Sequence, residues 1–125
     1  MISISFPDVV NAGIGFLVMF TLDVLWLPTA TKLGLYPQTD KVEIIFAIVA
    51  WGLLATAISC GRFKNIGEAS LYGMFIGLVA YGTWNFTEAS IRKDWRNMAV
   101  VYDLTYGTLL CTLTSVIIYK ANSLI

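Results

Sequence analysis

The 125-residue chain contains no histidine. That absence removes the usual general base near neutral pH, the Ser-His and Cys-His nucleophile pairs, and imidazole ligands to zinc or haem. Charge is scarce as well. Only 13% of residues are Asp, Glu, Lys or Arg, and eight basic side chains balance eight acidic ones. Soluble domains carry about a quarter charged residues, so this chain has too little polar surface to coat a water-soluble globule. With no basic excess, nucleic acid is not an expected partner. Cysteine is limited to Cys60 and Cys111. Their places in the spans described below put them too far apart for a disulfide, so both read as packing residues. No phosphate loop, nucleophile elbow, haem motif or zinc spacing is present, so the sequence points to no catalytic residue, metal site or cofactor.

Apolar sequence dominates: 58% of residues are hydrophobic and the mean hydropathy is +0.75. Four apolar stretches approach the ~20 residues that a bilayer requires. They run from about residue 7 to 27, 42 to 60, 68 to 91 and 97 to 119. Pro7 suits a first helical turn, and Pro28 is expected to end the first span. Gly61 is a natural stop for the second, followed by the polar loop Arg62-Phe63-Lys64-Asn65. The N-terminus does not read as a signal peptide, because it lacks a basic start and Asp23 interrupts its apolar run. The expected fold is therefore a single all-α integral membrane domain, an up-down bundle of four antiparallel transmembrane helices.

That topology places Lys32, Lys41, Arg92, Lys93 and Arg96 on one side and Arg62, Lys64 and Lys120 on the other. The positive-inside rule then puts loops 28–41 and 92–96 in the cytoplasm. It also gathers polar groups from three helices: Asp23 near the end of the first span, Asn85 and Glu88 near the end of the third, and Asp103 about six residues into the fourth.

A carboxylate within a lipid-spanning helix is costly and should face a partner, a cavity or a ligand. The span interiors contain no Lys or Arg, so Asp23 and Asp103 have no evident counter-ion. Either they hold a proton and tie helices together through Asn85, Thr105 or Tyr106, or they bind a cation or basic ligand. Glu88 has a simpler alternative in Arg92, four residues later on the same helical face. Trp26, Trp84, Trp95, Tyr102 and Tyr106 lie nearby; such aromatics are membrane-belt residues or, beside carboxylates, walls for organic cations. Gly73 and Gly77 form a small-x-x-x-small pair for close helix packing, inside the bundle or in a homodimer through the third helix.

These motifs also carry a resemblance. The first span reads Leu22-Asp23-Val24-Leu25-Trp26-Leu27. The third contains Gly77-Leu78-Val79-Ala80-Tyr81-Gly82-Thr83-Trp84-Asn85-Phe86-Thr87-Glu88. Trp95 follows, then Asp103 with Tyr106-Gly107. The chain resembles the small four-span membrane proteins of the domain of unknown function 2177 family. Their pattern has Leu-Asp-x-x-Trp-Leu, Gly-Leu-x-x-Tyr-x-x-Tyr-Asp-x-Thr-Asn, and a Trp followed by Asp-x-x-Trp-Gly. This chain has Asn85 where the pattern has Asp, Glu88 where it has Asn, and Tyr106 where it has Trp. The resemblance implies a fold and a motif cluster and carries no particular activity.

Three functions follow as expectations. The leading one is binding or transport of a proton, cation or small cationic molecule by a pocket of Asp23, Asp103, Asn85, Glu88 and Tyr81 with Trp26, Trp84 and Tyr106, in a dimer or larger unit. The second is an accessory or assembly subunit of a larger membrane complex. The third, least favoured without histidine or a metal motif, is an intramembrane enzyme acting on a lipid.

Overall fold

The computed structural model describes residues 5–35 and 44–124. Over these residues the protein is all-α, with helices α1 (Phe6–Lys32), α2 (Ile44–Ser59), α3 (Ile66–Ile91) and α4 (Asn97–Ser123). The start of the predicted second span and residues 36–41 of the predicted 28–41 connection lie outside the described residues. Helices α1 and α4, each 27 residues long, are long and apolar enough to cross a membrane.

Local sequence explains the helix ends. Ser5 and Asp8 form a reciprocal capping box at the start of α1. The Asn65 side chain accepts from the Glu68 backbone N–H at the start of α3. The first helix departs from expectation at its other end. It continues through Pro28 to Lys32 instead of stopping before the proline. A proline lacks an N–H and so forfeits one helical bond. Here the loss falls within the last turn and a half, and the Thr29 and Thr31 hydroxyls bond back to the carbonyls of Leu25 and Leu27. The turn comes at Gly34, whose φ of 69° favours glycine. Gly61 does follow α2, though not in a left-handed conformation. A Cβ there would lie 2.2 Å from the Phe63 ring, so glycine lets the following loop fold back closely.

Residue size, more than polarity, distinguishes the inner helix faces. On α1 the buried positions step by four, through Asn11, Gly15, Met19 and Asp23. On α3 they include Ala69, Gly73, Gly77, Gly82 and Asn85. Facing them on α4 are Asp103, Gly107, Cys111 and Ser115. A Cβ on Gly73 would lie 2.5 Å from the Cys111 carbonyl oxygen, and one on Gly77 would lie 2.7 Å from Thr108 Cα. The glycine pair thus brings the α3 and α4 backbones together within one chain, and Ser115 donates to the Ala69 carbonyl at 2.7 Å. Cys60 is exposed and Cys111 buried, and both are free thiols.

The helices associate as two close pairs, α1 with α2 and α3 with α4. Helix α4 also packs on α1, whereas α2 and α3 meet only slightly. Two apolar clusters fill the interior. One joins Met19, Ala55, Ile58, Leu110, Cys111 and Ile118. The other joins Ala30, Leu35, Trp95 and Ala99. Large apolar side chains such as Leu17, Leu53, Phe75 and Leu109 cover the outer faces and are exposed.

Candidate functional site

Asp23 and Asp103 are both buried. The fold supplies each with polar partners from other helices. Asp23 Oδ2 accepts from the Trp51 indole N–H of α2 at 2.6 Å. Its Oδ1 accepts from the Tyr106 hydroxyl of α4. Asp103 Oδ2 accepts from Asn85 Nδ2 of α3 at 2.5 Å. The same Asn85 nitrogen donates to the Tyr81 carbonyl at 2.9 Å. Tyr106 lies three residues beyond Asp103 on α4, so one turn of this helix serves both acids.

Aromatic packing fixes this arrangement. The Trp26 and Tyr106 rings stack with centroids 4.5 Å apart and an interplanar angle of 9°. The Tyr81 ring meets Tyr106 edge-on at 6.4 Å. Trp51 is steadied by edge contacts with Phe16 and Phe20. Asn85 is fully buried, and its Oδ1 has no hydrogen-bond partner among the described residues. An unsatisfied buried acceptor costs on the order of 1–3 kcal/mol.

The weak contact between α2 and α3 leaves a lateral groove of about 430 Å³. Trp51, Leu53, Leu54 and Ala57 form its α2 wall, and Ala80, Tyr81 and Trp84 its α3 wall. Asp23, from α1, is the sole carboxylate among the lining residues. The groove is otherwise apolar and aromatic, a surface on which an apolar body can lie while a charge reaches the acid.

Among the predicted site residues, Asp23, Tyr81 and Trp84 line the groove. Tyr106 and Trp26 support it from behind, and Asn85 and Asp103 form a neighbouring buried pair. Glu88 is placed elsewhere: it pairs with Arg92 at 3.4 Å, and Arg92 also binds Asp94 at 3.0 Å. The Arg92 hydrogen bonds hold the Asp94 carboxyl below the usual carboxylate range. Thr105 bonds back to the Val101 carbonyl and takes no part in the acid pairing. Tyr102 is exposed.

Trp51 escaped sequence reasoning. Its signal was an indole N–H in the middle of an otherwise apolar run, a donor with no nearby acceptor in its own helix. Among the described residues no three acidic, Cys or His side chains converge as a metal site.

No curated protein and no solved structure matches the chain. A family model does match, over residues 9–120. That span takes in the acid-bearing segments of α1 and α4 and the Asn85 segment of α3, and on it the chain belongs to DUF2177, a family of predicted membrane proteins.

Proposed function

We propose that all four helices cross the membrane as an up-down bundle, and that the α2–α3 groove binds an organic cation with an apolar body, entering from the lipid. The carrying observation is Asp23: one buried carboxylate on the wall of an otherwise apolar, aromatic groove. Its two oxygens each accept one hydrogen bond. These bonds orient the carboxylate and leave lone pairs for a ligand. Trp51, Trp84 and Tyr81 line the groove, and a cation over the face of such a ring gains roughly 0.5–2 kcal/mol. This lining favours a diffuse organic charge over a bare metal ion, which needs several hard oxygen ligands.

Transport extends the same reading. A cation released from the groove toward one of the membrane surfaces would make the protein a carrier. Loops 28–41 and 92–96 face the cytoplasm in this scheme, by their excess of Lys and Arg. Self-association through the third helix would use its outward face, around Leu71, Phe75 and Phe86, because α4 fills the Gly73–Gly77 notch.

Tetraphenylphosphonium is a suitable probe. Its binding to detergent-purified protein should quench tryptophan fluorescence, and Asp23→Asn should weaken it at least tenfold, equivalent to about 1.4 kcal/mol. Equal affinity in wild type and Asp23→Asn would refute the proposal.

A further inference from the structure

A second cavity lies at the opposite end of α1, remote in sequence from Asp23. Its volume is about 490 Å³. The start of α1 contributes Asp8 and Asn11, the α2–α3 loop contributes Arg62, and the end of α4 contributes Tyr119, Asn122 and Ser123. Three segments distant in sequence thus converge on one polar hollow.

Asn11 is the decisive residue. It is only 5% exposed, lines the cavity, and its side chain bonds to no other described residue. Its amide atoms are open to the cavity, where a partner supplied from outside the chain can satisfy them. An amide offers both a donor and an acceptor. The charged groups of the lining are also one of each sign. Arg62 donates to Asp8 at 2.5 Å, with 65% of the arginine side chain exposed and 14% of the aspartate. The lining therefore has no net charge to favour a simple anion or a simple cation. It matches a ligand that carries both charges a few ångströms apart.

The surroundings identify the source. Phe6 and Val9, 79% and 60% exposed, flank the lining residues Pro7 and Asp8 in the first turn of α1, and Phe63 lines the cavity from the loop. A polar hollow bordered by exposed apolar side chains suits an amphiphile at a membrane surface. We infer that this cavity binds the headgroup of a zwitterionic phospholipid with a primary amine. Its phosphate meets the Arg62 guanidinium and the Asn11 amide N–H, and its ammonium meets the Asp8 carboxylate and the Asn11 carbonyl. A primary ammonium can donate hydrogen bonds to those oxygens, whereas a trimethylammonium cannot, so the site distinguishes phosphatidylethanolamine from phosphatidylcholine.

Native mass spectrometry of the full chain, titrated with the two lipids bearing identical acyl chains, tests this directly. The wild type should retain phosphatidylethanolamine at least fivefold over phosphatidylcholine. Asn11→Leu and the exposed-site variant Arg62→Gln should each bring that ratio close to one. Asp23→Asn should keep the wild-type ratio, which separates this site from the α2–α3 groove. Soluble glycerophosphoethanolamine should fail to displace the lipid at equal concentration, because it lacks the chains. Equal retention of the two lipids by the wild type would overturn the inference. So would an unchanged ratio in a folded Arg62→Gln variant, or full displacement by the soluble headgroup.

Discussion

At the scale of single residues, two hydrogen-bonded acids stand out in the protein's interior, each with partners from other helices. Asp23 is held by Trp51 and Tyr106, and Asp103 by Asn85. Such pairs stabilise helix contacts only while both members are present, since removing one leaves the other buried and short of a partner. Asn85→Leu and Asp103→Leu should therefore each lower stability by roughly 1–3 kcal/mol. The double variant should lose clearly less than the sum of the two, because neither polar group is left behind. Thermal unfolding in one detergent measures all four corners of that cycle; additive losses would contradict the pairing. The acids themselves were legible in the sequence, since a carboxylate in an apolar run demands an explanation. Their partners were only partly so. Asn85 and Tyr106 stood out as polar or aromatic neighbours at helical spacing. Trp51 sits in an α2 without another strong polar signal, and no motif or spacing in the sequence marks out Asn11. Glu88 went to Arg92, as the spacing of four allowed, and away from the two aspartates.

At the scale of helices, glycine decides where backbones and rings can approach. Gly107 is the sharpest case, because a Cβ there would sit 2.0 Å from Tyr81 Cγ. Gly107→Ala should displace the Tyr81 ring, which both lines the groove and packs on Tyr106. Overpacking of this kind costs typically 1–3 kcal/mol. The same change should weaken tetraphenylphosphonium binding through the altered groove wall. Gly52→Ala is the control: a Cβ there meets nothing within 4 Å. It should leave binding intact and raise helix stability by up to about 1 kcal/mol. Fluorescence titration and thermal melts of the two variants check both outcomes. The Gly73–Gly77 spacing announced a close contact in the sequence but not its partner. Four-residue spacing specifies a smooth helix face and says nothing of which helix covers it; α4 does so here. The end of α1 lies beyond the stop that Pro28 suggests in the sequence. A proline breaks a helix most effectively in its interior, and Pro28 lies close enough to the end for the last turn to form around it.

At the scale of the whole molecule, the unequal pairing of helices matters most. Helices α1 and α2 form one close pair, α3 and α4 another, and α4 joins them through α1. The slight contact between α2 and α3 leaves the groove that reaches Asp23. Hydropathy alone cannot reveal such a groove, because an apolar face packed on another helix and one open to lipid have the same composition. Under the proposed function, Asp23 and not Asp103 is the acid that meets a ligand. Asp23 lines the groove, whereas Asp103 is paired with Asn85 behind it. The most direct measurement is equilibrium binding of labelled tetraphenylphosphonium to the protein in nanodiscs, compared for wild type, Asp23→Asn and Asp103→Asn. Asp23→Asn should lose binding at least tenfold while Asp103→Asn, whose amide still reaches Asn85, should stay within about threefold of wild type, a difference of roughly 0.7 kcal/mol. Equal losses in the two variants, or binding that survives Asp23→Asn, would contradict that role for Asp23.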